Sequence, residues 1–136
     1  MGTVVRDSES VNEAETKLLQ SALRLFADKG YEGTSIREII EGAGVTRPVL
    51  YYYFENKEDL FRRLVEEKFF ELTEQIESTI QRVESCEERL KELIGRAFRL
   101  AMENQDAVRL ILQVFFSPPQ QGPPLDRVRL AHQRFR

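Results

Sequence analysis

The placement of helix breakers constrains this chain more than any other feature. Its 136 residues include seven glycines and five prolines, and these are clustered, with glycines at 30, 33, 42 and 44 and prolines at 118, 119, 123 and 124. Long stretches contain neither residue, so nothing in them forces a helix to stop. Within those stretches apolar residues recur three and four apart, and the alternating pattern of a half-buried strand is absent. The chain therefore reads as all-α.

The breakers divide the sequence into helices. Residues 1–12 are polar and without periodicity, and read as a flexible N-terminal arm. From Glu13, Leu18, Ala22, Leu25 and Phe26 form an apolar stripe, ending at Lys29 with Gly30 in the left-handed position beyond. Thr34 or Ser35 caps a short second helix whose face is Ile36, Ile39 and Ile40. Gly42 and Gly44 end it, leaving a four-residue turn. Thr46 then reads as the cap of a third helix, its hydroxyl reaching the amide of Val49, with Arg47 and Pro48 in the first turn, where a missing N–H costs little. Asn56 caps a fourth helix with a stripe from Leu60 to Val83. Ser85 begins a fifth helix with an apolar face of Leu90, Leu93, Ile94, Ala97, Phe98 and Ala101. Asn104 ends that helix and starts a sixth, which runs to Phe116. Residues 117–124, SPPQQGPP, are a loop. Leu125, Val128, Ala131 or His132, and Phe135 begin a further helix, cut off at Arg136.

Composition limits the possible functions. Apolar residues make up 41%, enough for a folded core. One cysteine, Cys86, leaves no internal disulfide and fits a reducing, cytoplasmic setting. No apolar run reaches the roughly 20 residues a membrane span needs. Lys and Arg total 20 against 23 Asp and Glu, a net charge of −3. A nucleic-acid reading must therefore rest on local geometry, and it implies weak non-specific binding. No metal-ligand cluster, glycine-rich phosphate loop or nucleophile–histidine pair is present, so neither an enzyme nor a cofactor is expected. His132 and Cys86 are read as surface and inert.

The second and third helices, joined by a glycine-containing turn, form a helix-turn-helix signature. Such a unit presents the N-terminal end of its second helix to the major groove. Thr46 and Arg47 lie at that positive helix end, which favours phosphate, and the planar fork of Arg47 matches guanine. Val49 is small enough to meet a thymine methyl. Leu50 and Phe54 share the core face, so Tyr51, Tyr52 and Tyr53 fan over the remaining surface, where rings pack on sugar and hydroxyls donate to phosphate. Of the three, Tyr52 is read as the one partly covered by neighbours. Lys57, a cation in the first turn of the fourth helix, makes sense beside a phosphate.

The stretch TSIREIIEGAGVTRPVLYYYFENKEDLF resembles the DNA-binding domain of the TetR family of bacterial transcriptional regulators. The residues that carry the likeness are Thr34 and Ser35, Ala43-Gly44-Val45-Thr46, Leu50-Tyr51-Tyr52, Phe54, Lys57-Glu58 and Leu60-Phe61. Pro48 stands where the family often has Gly, and Tyr53 where it commonly has His. The resemblance implies a helix-turn-helix domain over 13–56 and a helical ligand-binding and dimerisation domain over 57–136, partial in this chain. It implies a homodimer of the complete protein, double-stranded DNA with a palindromic operator as partner, repression as the usual outcome, and an unidentified small-molecule effector that changes the spacing of the two DNA heads. By position, Ser35, Arg37, Thr46, Arg47, Val49, Tyr51, Tyr52 and Lys57 inherit DNA contacts, and Thr34, Pro48 and Tyr53 complete the candidate set.

Two alternatives stand beside this reading. The chain could be a helical interaction module that no longer binds DNA specifically. Phe69, Phe70, Phe98, Met102, Phe115 and Phe116 could be plain core or the lining of a ligand pocket.

Overall fold

The computed structural model describes residues 2–81 and 85–116. These residues form α1 (Gly2–Lys29), α2 (Ile36–Ala43), α3 (Arg47–Tyr53), α4 (Lys57–Ile80), α5 (Cys86–Glu103) and α6 (Gln105–Phe116). No strand occurs among them. The helix expected from 125, the 117–124 loop, Val83 and His132 lie outside the described residues.

The first helix starts well before Glu13. Residues 2–12, expected as a loose arm, continue α1. The physical reason is the lack of a breaker: between Thr3 and Asp28 there is neither Gly nor Pro. At the other end the expected signals operate. Gly30 takes a positive φ of 76°, and its amide donates to the Phe26 carbonyl at 2.9 Å.

α2 is held at both ends. The Ser35 hydroxyl accepts from the Glu38 amide at 3.2 Å, and the Glu38 carboxylate accepts from the Ser35 amide at 3.0 Å, a complete capping box. Gly44, at φ 69°, closes the C-terminus. The turn to α3 is Gly44-Val45-Thr46, three residues instead of four. α4 is capped by Asn56, whose Oδ1 accepts from the Asp59 amide at 2.7 Å. Burial pushes the Asp59 carboxyl upward, but the Glu55 amide and Arg62 outweigh it and hold it below its usual range. Asn104 serves two helices: its amide donates to the Leu100 carbonyl at 2.9 Å, and its carbonyl accepts from the Val108 amide at 3.0 Å.

α1 is the central element, packing against α2, α3, α4 and α6. The core unites Leu18, Ala22 and Phe26 of α1 with Ile39 of α2, Leu50 of α3, Phe54, then Leu60, Phe61, Leu64 and Val65 of α4 and Leu110 of α6. Phe26 meets Phe61 edge-on at 4.9 Å and stacks with Tyr31 at 6.0 Å. α2 approaches α1 closely because Gly42 lies over Ser21, where a Cβ would meet the Ser21 hydroxyl. That hydroxyl is buried and donates to the Ile39 carbonyl at 2.9 Å. α6 reaches α1 through Gln113, whose Nε2 donates to the Ala27 carbonyl at 3.0 Å.

α5 departs from its expected orientation. Leu90, Ile94, Phe98 and Met102 are 58–69% exposed, and Leu100 is the residue α5 buries. The pocket candidates divide likewise. Phe69 and Phe115 meet at 5.8 Å against the core, while Phe70, Phe98, Met102 and Phe116 face outward.

Two outcomes follow from these contacts. Gly42→Val drives methyl groups into Ser21 and toward the Arg24 guanidinium, and should destabilise the chain by about 1–3 kcal/mol in urea melts, with Gly42→Ala closer to the lower figure. Glu38 bonds to Lys29 and to the Ser35 amide, which hold its carboxyl at about 2, below the ordinary 4.5. A depressed carboxyl stabilises the fold above its unfolded value and loses that contribution as pH falls. Glu38→Gln should therefore be less stable than the wild type near neutrality, with the difference shrinking from about 4.5 downward and vanishing near 2 in a pH series of melts.

Candidate nucleic-acid interface

The exposed side of α3 is set by what its other side buries. Leu50 and Phe54 are essentially inaccessible. At roughly 100° per residue, Tyr52 lies about 200° from Leu50, opposite the core. Tyr52 is accordingly 76% exposed and Tyr51 47%. The half-covered tyrosine is Tyr53, not Tyr52 as expected, because Tyr53 lies only about 60° from the Leu50 direction. Its ring meets Tyr52 edge-on at 5.0 Å and Phe54 at 6.3 Å. Burial, then the neighbouring Tyr52 and Glu15, raises its phenol above the ordinary value.

The first turn of α3 is open to solvent. Thr46, Arg47 and Pro48 are exposed, and Val49 is half-buried with its side against the core. The Thr46 backbone takes the extended cap conformation, but its side chain makes no capping bond. The expected bond to the Val49 amide is therefore not formed. The first-turn amides of α3, which have no intrahelical acceptor, lie beside a Thr46 hydroxyl that makes no capping bond and the exposed Arg47.

The remaining candidates lie at the starts of α2 and α4. Ser35 is exposed at the start of α2. Arg37 is exposed two residues on, its Nε donating to Glu41 at 3.0 Å, a surface pair of small net worth. Lys57 sits at the start of α4 with Nζ 4.2 Å above the centroid of the Tyr31 ring. That ring is fixed by Phe26 and by Phe61 at 5.0 Å. Burial, then Glu58 and Glu32, raises the Tyr31 phenol. Sequence reading missed Tyr31 as a platform, since no motif links positions 31 and 57.

Thr34 does not join the surface. It is 2% exposed, and its hydroxyl donates to the Gly30 carbonyl at 2.9 Å. Its role is to close the α1–α2 turn. Among the described residues, no group of three or more His, Cys, Asp or Glu is placed to hold a metal ion. Among them also, no helix is long and apolar enough to cross a membrane.

A short exposed helix behind a three-residue glycine turn, seated on α1 and α2, is the architecture of a helix-turn-helix DNA-binding domain. Residues 18–64 match the family described as bacterial regulatory proteins, tetR family. Residues 18–64 therefore form a helix-turn-helix domain of the TetR family.

The chain is 38% identical over 53 residues to the biofilm operon icaADBC HTH-type negative transcriptional regulator IcaR of Staphylococcus epidermidis, covering 39% of this chain and 29% of that one. It is 31% identical over 84 residues to the fatty acid metabolism regulator protein of Bacillus subtilis, covering 62% and 43%. These relatives are regulators and not enzymes, and the chain spans less than half the length of either. A TetR family transcription regulator from Marinobacter aquaeolei superposes with a TM-score of 0.78 at 20% identity, over 94% of this chain and 66% of that one, a likeness of fold.

The two threonines should separate in denaturation experiments. Thr34→Val removes a buried donor and leaves the Gly30 carbonyl short of a partner, costing about 1 kcal/mol or more. Thr46→Val removes a hydroxyl with no capping bond and should change stability by less than about 0.5 kcal/mol.

Proposed function

We propose that this chain is the reading head, with part of the regulatory region, of a ligand-responsive transcriptional repressor that reads a palindromic operator as a homodimer. The observation that carries the proposal is the free N-terminal end of α3. Thr46 and Arg47 are exposed there without a capping bond to the Thr46 side chain, and Tyr51 and Tyr52 are exposed behind them.

In this reading Arg47 and Val49 enter the major groove and specify bases. Ser35, Arg37, Thr46, Tyr51, Tyr52 and Lys57 hold the phosphate backbone, with Tyr53 at the edge. Pro48 offers no amide, so the backbone contact at that point falls to its neighbours. The division at 56/57 is one of function: 13–56 reads and 57–136 regulates. It is not a packing boundary, because Leu60, Phe61, Leu64 and Leu110 share the core of the head. The resemblance to a negative regulator supports repression. Pairing of two heads and response to an effector are supported by the likeness of residues 18–64 to the tetR family. The competing reading, a helical interaction module, draws on the excess of acidic over basic side chains in residues 1–60 and on Pro48.

Selection of bound duplexes from a random pool at low salt tests the proposal. Enrichment of an inverted repeat is expected for paired heads, and of a single half-site for heads that read DNA unpaired. Arg47→Ala should then weaken the enriched duplex by about 1–3 kcal/mol and relax preference at one position. No enrichment, even with two heads tethered, would favour the interaction module.

A further inference from the structure

Arg63 lies on α4, away from the first turn of α3, and it joins three elements. Its Nη1 donates to the Tyr53 carbonyl at 2.7 Å. Its Nη2 lies 3.6 Å from the Glu15 carboxylate of α1. Its guanidinium carbon stands 4.8 Å from the centroid of the Phe54 ring.

Tyr53 is the last residue of α3. Carbonyls at that end have no intrahelical donor and carry the negative end of the helix dipole. A guanidinium there satisfies an orphan acceptor and opposes the partial charge. A planar fork can bond a carbonyl, face a carboxylate and lie against a ring together, which a point ammonium cannot.

The geometry points to Arg63 as a positioning residue for DNA reading, one that fixes the C-terminal end of α3 and so sets the angle at which Arg47, Val49, Tyr51 and Tyr52 meet the groove. This inference rests on the DNA-reading proposal above. α3 has seven residues, roughly 10 Å of helix, so a tilt of about 10° about one end moves the other by about 2 Å. That displacement exceeds the tolerance of a hydrogen bond to a base edge. The N-terminal end is set by the Gly44 turn and the middle by Leu50. The C-terminal end is tied by Arg63.

A positioning role differs from a phosphate contact in what it costs. Loss of a phosphate contact weakens all DNA alike and lowers the salt slope by about one. Loss of positioning lowers the preference for the right sequence and leaves non-specific affinity and salt slope unchanged.

The test compares the 136-residue chain with Arg63→Met and Arg63→Lys. The first readout needs no DNA: amide hydrogen exchange in the free protein. Arg63→Met should speed exchange at Leu50 and Phe54 by about tenfold relative to α1, the equivalent of one charged hydrogen bond. The second readout uses the duplex that the wild type enriches from a random pool, beside a scrambled duplex of the same composition. The preference between them should fall by about tenfold for Arg63→Met, with Arg63→Lys intermediate and the salt slope unchanged. Exchange that stays the same, or rises evenly over α1, α2 and α3, overturns the inference. So does equal weakening on both duplexes with a reduced slope. If the wild type enriches no duplex, either alone or as two tethered heads, the DNA-reading proposal fails, and the exchange pattern alone decides whether Arg63 fixes α3.

Discussion

The burial of Leu50 and Phe54 against α1 and α4 is the constraint on which the rest of the molecule depends. α3 is too short to be stable alone, since a helix of two turns does not recover its nucleation cost. It exists because Leu50 and Phe54 complete a core that α1 opens with Leu18, Ala22 and Phe26 and α4 closes with Leu60, Phe61 and Leu64. Burying these two side chains also orients the others. With a pitch of 3.6 residues, Tyr52 has no direction left but outward. Stability and recognition are thus two faces of one short helix, and a change that loosens the first misaims the second.

The core does not respect a division into head and body. Leu110 of α6 is fully buried in the same cluster as Phe26, and Gln113 bonds to the last turn of α1. The first four helices and α6 form one packed unit. The Gln113 bond thus ties α6 to α1 at the Ala27 carbonyl, three residues before the Gly30 turn that leads to α2. α4 carries a second connection, with Lys57 over Tyr31 at its start and Arg63 under Tyr53 two turns on.

Much of this was legible in the sequence where the signal is local. Gly30, Gly44, Ser35, Asn56 and Asn104 mark helix ends by backbone chemistry that acts within four residues, and each does so in the structure. Leu50 and Phe54 could be assigned to the core because their spacing is that of one helix face. The failures are contacts that spacing does not encode. Thr34 looked like a surface cap and is the buried lock of a turn. Thr46 looked like a side-chain cap and makes no such bond. The start of α1 was missed because polar composition was read as disorder although no breaker was present. The stripe on α5 announced that Leu90, Ile94, Phe98 and Met102 favour burial, but periodicity does not say against what, and they lie exposed. Arg63 and Tyr31 were invisible for a related reason: their partners lie on other helices.

The open face of α3 is largely uncharged, and that has a kinetic consequence. Tyr51 and Tyr52 present phenols, and of the nearby cations Arg37 is engaged by Glu41 and Lys29 by Glu38, which leaves Arg47 as the exposed charge at the end of the helix. A neutral donor holds a phosphate by direction without releasing a counterion. It grips when its geometry is met and releases when it is not. On the proposed reading, a head built this way would release incorrect sequences quickly and slide little along the duplex, because few of its contacts are Coulombic.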